Sequence, residues 1–350
     1  MQADGHLVHQ DLRLTNVRRK GLRIALAVAV GFTWAVYTGA IIPFLAPFFA
    51  AQFLIANPRP LALRKAVGLV IVMLVTGEVL QFVTAIAGQR PVVLLLLLGL
   101  VYFACFFLQA SGKVSGPTIF FVLVVAVMVP LLAILNNDLA ASIMSIFIQG
   151  TVGGLLLMWI AHALIPDRGG TETEAALLAP NPDAVRFAAC NAIILVISVA
   201  SCLTLDGLST ATVIPITVSL LLSQADLARS SRAALGLVMV NLFGGVLACV
   251  AYAAYQVSPT GLFLFLIVLV IGLMLGGRAA QNDPAAKLYA GALTIFLTVL
   301  GSGVSPLPGS AAESFSTRIV FIFGAISYTI FMAALLWPRV KIEAPEPVSA

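Results

Sequence analysis

The chain reads as an all-α polytopic membrane protein of about twelve transmembrane helices, built as two parallel six-helix repeats. Three observations predict this. The 350 residues are 61% hydrophobic and only 9% charged, with a mean hydropathy of +1.09. A soluble domain of this length needs a charged coat that such a composition does not supply. Apolar runs near the ~20 residues needed to cross a bilayer recur along the whole chain. Finally, a pattern returns 168 residues later. Arg64, Ala66, Gly68, Leu69, Val70, Val72, Leu74 and Gly77 reappear as Arg232, Ala234, Gly236, Leu237, Val238, Val240, Leu242 and Gly245. Pro47 and Pro215 keep this offset, as do Arg18 and Arg186. An apolar chain matches itself by chance at Leu, Val and Ala, but not at aligned Arg, Gly and Pro.

The elements follow in order. The first span, about 22–40, is preceded by Arg18, Arg19, Lys20 and Arg23 and is expected to be a permanent anchor, because its apolar stretch outruns a signal peptide. The second, about 41–57, is short and carries Pro43 and Pro47. Arg64 and Lys65 open the third, about 66–87, which holds Gly68, Gly77, Glu78 and Gln81. Spans at about 92–110, 115–135 and 140–164 complete the first half, the last ending near His162. The second half gives about 187–204 with Asn191, 207–223 with Pro215, and 233–254 with Asn241, Gly244 and Gly245. Spans at about 260–277, 287–303 and 318–337 finish it. The predicted organisation is a first repeat over 1–165, a polar linker over 166–185 and a second repeat over 186–350. The first ~17 residues and the tail after Pro338 are expected to be mobile.

Charge fixes the orientation. With a cytoplasmic N-terminus, only Arg90 and Arg318 of the 19 basic residues fall outside. Both termini are then cytoplasmic, and six spans per half make the repeat parallel rather than inverted. The same spread of cations between apolar runs, rather than in a patch, argues against nucleic acid as a partner of a chain with net charge +5. Cys105, Cys190, Cys202 and Cys249 sit inside apolar runs without metal-ligand spacing and read as small hydrophobes.

Glu78 is the only acid placed well inside a span. An ionised acid there is costly, so it is expected to face the bundle interior, be protonated or find a partner; Gln81 lies on its face at i+3. Two readings stand: a proton carrier for coupled transport, or a protonated acid bonding a neighbouring helix. The second repeat has Val246 at this position, so coupling would belong to one half only. Pro43, Pro47 and Pro215 mark short segments at matching positions, which point to broken helices beside a substrate path or to simple kinks. Asn191 and Asn241 are further candidates for that path or for interhelical bonds, and Gly68, Gly77, Gly236, Gly244 and Gly245 for close helix packing. Arg64 and Arg232 are expected to snorkel at the interface. Asp138 and Asp206 read as outer loop ends. His6, His9 and His162 form no metal set, and no metal or cofactor is expected. Ser111-Gly112-Lys113 lacks phosphate-loop spacing, and no nucleophile–base pair assembles, so the chain is not expected to be an enzyme.

The basic residues before the first helix, the segment "IIPFLAPFFAAQFLIANP", the segment "LRKAVGLVIVMLVTG" and the second copy "IPITVSLLLSQADLARSSRAALGLVMVNLFGG" resemble the fusaric-acid-resistance and aromatic-acid-exporter superfamily of bacterial inner-membrane proteins. Within it the chain is most similar to a compact subgroup of unknown function that lacks the soluble cytoplasmic domain of larger relatives. The resemblance implies export of aromatic or other weak organic acids driven by proton-motive force, with a periplasmic membrane-fusion (adaptor) protein as a partner. It supplies no catalytic residue. The expected partners are the lipid bilayer, a small organic acid and the adaptor, with a homo-oligomer also open. The alternative is a non-transporting scaffold or assembly subunit of an envelope efflux complex.

Overall fold

The computed structural model describes residues 2–113, 116–135, 137–166, 183–204, 213–223, 231–281, 283–305 and 315–336. Within them lie twelve helices and no strand: α1 (Gln2–Tyr37), α2 (Leu45–Ala56), α3 (Leu63–Ala87), α4 (Pro91–Ala110), α5 (Gly116–Leu135), α6 (Asn137–Leu164), α7 (Ala184–Thr204), α8 (Val213–Ser223), α9 (Ser231–Val257), α10 (Gly261–Ala279), α11 (Pro284–Val304) and α12 (Phe315–Leu336). Seven are long and apolar enough by themselves to cross a bilayer, those in α1, α3, α4, α6, α7, α10 and α11. The chain is a multi-pass helical membrane protein.

Helix α1 already runs from Gln2. The second segment is shorter than the 41–57 expected from its apolar run. α2 has 12 residues and α8 has 11. At 1.5 Å per residue each covers roughly 18 Å or less, against ~30 Å of hydrocarbon. The reason lies in the prolines. Pro47 and Pro215 are each the third residue of their helix, where a missing N–H breaks no intrahelical bond. Pro47 starts α2 rather than interrupting it, and Pro215 holds the same third place among the described residues of α8. Ahead of α2, α1 ends at Gly39, whose φ of 69° is left-handed. The amide of Ala40 donates to the Ala35 carbonyl (2.9 Å) and that of Gly39 to the Val36 carbonyl (3.1 Å), closing a Schellman cap. Gly112 (φ 68°) closes α4 in the same way. The Ser-Gly-Lys segment is thus a helix terminus. Most of the 166–185 linker, the tail after Pro338 and Asp206 lie outside the described residues.

The helices of the two halves interleave. α1 packs along α10, and α7 packs along α4; α2 reaches α11, and α8 reaches α5. Within each half the second helix packs on the sixth and the third on the fifth. α5 and α11 form the centre, with residues 121–131 and 291–302 buried apart from the half-buried Val122. A helix apolar on all sides belongs in such a place. The α1–α10 contact depends on absent side chains. A Cβ on Gly272 would stand 3.1 Å from the Ala25 Cα, and one on Gly276 would stand 2.8 Å from Ile24 Cγ2. Gly277 next to it has nothing within 4 Å. Gly272→Leu is therefore expected to lose folded protein in detergent size-exclusion profiles, whereas Gly277→Ala keeps it.

Candidate functional site

The two short helices begin at one cavity. It measures about 40 Å³ and is walled by Ile42, Phe44, Leu45 and Phe48 at the start of α2 and by Ile216 and Thr217 in the first turns of α8. Phe49 of α2, Val124 and Met128 of α5, Phe147 of α6 and Thr298 of α11 close it. Both halves contribute. The positive dipole ends of α2 and α8 lie here, although at α2 the Leu45 and Phe48 amides already donate to the Ile42 (3.2 Å) and Phe44 (2.9 Å) carbonyls and Pro47 has no N–H. The walls are apolar and aromatic, with two threonines among them.

Glycines on the neighbouring helices seat α2 at this depth. A Cβ on Gly154 of α6 would stand 2.6 Å from Phe49 Cβ and 3.0 Å from the Ala50 nitrogen; one on Gly301 of α11 would stand 2.5 Å from Phe44 Cβ. Phe49 meets Phe121 of α5 edge-on, with centroids 4.7 Å apart and planes at 79°. Polar contacts then tie the halves together. Gln52 Nε2 donates to Thr294 Oγ1 (2.8 Å), Ser305 Oγ donates to the Ile41 carbonyl (2.6 Å), and Gln109 Nε2 donates to the Ser223 carbonyl (2.6 Å). On α11, Thr294, Thr298 and Ser302 each donate to the carbonyl four residues back. This places a line of hydroxyls along the central helix. Its signal in the sequence is the i, i+4, i+8 spacing of hydroxyl residues in an apolar run, and none of the three was among the residues expected to matter.

A proline that does free a carbonyl sits in α5. Pro130 lies inside the helix and supplies no N–H for the Ala126 carbonyl. The buried Tyr102 Oη of α4 donates to that carbonyl at 3.2 Å. Tyr102→Phe is expected to cost about 1 kcal/mol, read as a lower thermal midpoint in detergent. At the other end of α6, Arg19 Nη1 and Arg23 Nε donate to the carbonyls of Pro166 (2.9 Å) and Ile165 (2.7 Å). Positive charge at a helix C-terminus is favourable, and it explains why Arg23 is buried rather than snorkelling.

The residues expected to matter fall as follows. Pro43, Pro47 and Pro215 are buried beside the cavity, although their neighbours rather than the prolines themselves line it. Asn191 is fully buried in α7 and is not a lining residue. The side chains of Asn241, Arg232 and Asp138, and those of His6 and His9, lie outside the described residues, as does the packing of Gly236. Gly77 abuts Met144, and Gly244 abuts the Ala292 backbone. Gly245 has two side chains at 4.0 Å, and Gly68 has nothing within 4 Å, so neither makes a close packing contact within the chain. Glu78 does not face the bundle interior: it is exposed on the outer side of α3, with Gln81 half-buried beside it. A helix apolar on every side gives hydropathy no means of choosing which face turns inward. The His162 ring lies 3.0 Å from the Met158 carbonyl through Nδ1. Cys105 and Cys202 are buried, Cys190 and Cys249 half-buried. No group of three metal-ligating side chains occurs among the described residues.

Residues 20–163 match a protein family described as "Protein of unknown function (DUF2955)". The matched segment is less than half of the 350-residue chain and runs from the second turn of the α1 membrane span to the end of α6. No curated protein and no solved structure matches the chain.

Proposed function

We propose that the protein is a secondary transporter of the bacterial inner membrane that exports aromatic or other weak organic acids, with its path at the cavity between the halves. The observation that carries this is the convergence of two half-length helix starts on one apolar, aromatic-walled space. Half-helix N-termini offer positive dipole ends to a carboxylate at membrane depth, while Phe44, Phe48, Phe49 and Phe147 suit a ring. Twelve helices as two parallel six-helix repeats form the frame, α2 and α8 being its two half-length members. Three facts support that frame: the helix pairings, which match under a shift of six helices; the 168-residue sequence offset; and a family match bounded by α1 and α6. Cytoplasmic termini follow from the distribution of Lys and Arg.

A cavity of about 40 Å³ holds water rather than an aromatic acid. In the transport reading this is a closed state, which opens as α2 and α8 shift against α5 and α11. The same tightness favours the second reading, a non-transporting scaffold within an envelope complex that includes an adaptor protein. Flux of a panel of aromatic and aliphatic acids in proteoliposomes holding only this chain, with and without a pH gradient, separates them. Saturable, gradient-accelerated flux is expected. Flux indifferent to the gradient removes proton coupling, and absence of flux favours the scaffold. Glu78 is exposed on the outer side of α3 and does not line this cavity.

A further inference from the structure

We propose that the outer face of α3 binds a second copy of this chain, through a seam centred on Glu78. Glu78 lies 15 residues from the start of α3 and 9 from its end, roughly 22 and 14 Å along the axis, so its exposed carboxyl stands near mid-span. Among the described residues neither it nor Gln81 makes a hydrogen bond or ion pair. Bare lipid is the worst surrounding for such a group. The second half supplies an internal control. Ile71, Val75 and Phe82 are 55%, 51% and 67% exposed, and their counterparts Met239, Phe243 and Val250 are 57%, 46% and 61% exposed. Glu78 alone breaks the match, since Val246 at the same place is apolar and 51% exposed. One outer face is therefore suited to lipid, and the other carries an acid that lipid does not satisfy.

A second copy supplies what is missing. In a two-fold contact each residue meets its own counterpart or a near neighbour, so two Glu78 carboxyls and two Gln81 amides meet at the axis. A carboxyl pair sharing protons, or a carboxyl accepting from the amide of the partner copy, satisfies all four groups. The spacing fits as well. Gly68, Ile71, Val75, Glu78 and Phe82 follow steps of three and four, the seam of a left-handed helix pair. Gly68, open within the chain, lets the backbones approach at one end. This contact stands apart from the transport reading and does not depend on it.

The test counts subunits of the full chain in lipid nanodiscs and in liposomes across protein-to-lipid ratios. Wild type is expected to be dimeric. Glu78→Val, which copies the second half, and Gly68→Leu, which the open space around Gly68 accommodates, are each expected to weaken dimerisation by roughly tenfold or more with the thermal midpoint of the single chain kept. Oxidation is expected to link Val75→Cys into dimers and to leave Phe243→Cys unlinked. Monomeric wild type at every ratio overturns the proposal and leaves lipid or another protein as the cover. Dimers that survive both substitutions, or linkage through Phe243→Cys instead, overturn it too.

Discussion

Thr298→Leu is expected to lower flux of an aromatic carboxylic acid by roughly tenfold or more while leaving the protein folded. The Thr298 hydroxyl donates to the Thr294 carbonyl of its own helix, a local bond whose loss α11 tolerates. Leucine adds apolar bulk, and the cavity beside it has about 40 Å³ to receive it. The substitution thus fills the space where the starts of α2 and α8 meet and removes one of the two threonine hydroxyls there. Thr298→Ser keeps the hydroxyl and is expected to keep most of the flux. Proteoliposome flux, with size-exclusion profile and thermal midpoint as folding controls, reads both.

Gly154→Val is expected to destabilise the protein by roughly 1–3 kcal/mol or more and to abolish flux with it. The contacts that decide this are backbone atoms. A Cβ there stands 3.0 Å from the Ala50 nitrogen and 3.1 Å from the Ala46 carbonyl oxygen, and a helix backbone does not rotate aside as a side chain does. α2 must move as a body. That movement drags Phe48, Phe49 and Leu45 away from the cavity and strains the Gln52–Thr294 bond between the halves. Loss of the folded fraction in detergent at a temperature where wild type survives is the measurement.

The helical, multi-pass character was legible because lipid leaves few choices, and apolar run length records that constraint directly. Local geometry was less visible. Hydropathy registers that residues 41–57 are apolar, but not that the helix begins only at Leu45, and Pro47 reads equally well as a kink or as a helix start. Glu78 was conspicuous by its charge, yet its orientation was hidden because every face of α3 is apolar. The seat of α2 on Gly150, Gly153 and Gly154 depends on which helices meet, which a repeat pattern does not specify. Pro130 went unnoticed because its effect emerges only once Tyr102 stands opposite the Ala126 carbonyl. The hydroxyl line on α11 had a readable period and could have been found from spacing alone.

An organic acid that passes between the halves where α2 and α8 begin is blocked by bulk at that junction. Uptake of labelled benzoate into proteoliposomes holding only this chain, wild type beside Thr298→Leu, under an imposed pH gradient, decides whether it does. Saturable uptake by wild type and its loss in the folded variant are predicted. Equal uptake by both would place the path elsewhere, and no uptake by wild type above protein-free vesicles would contradict transport itself.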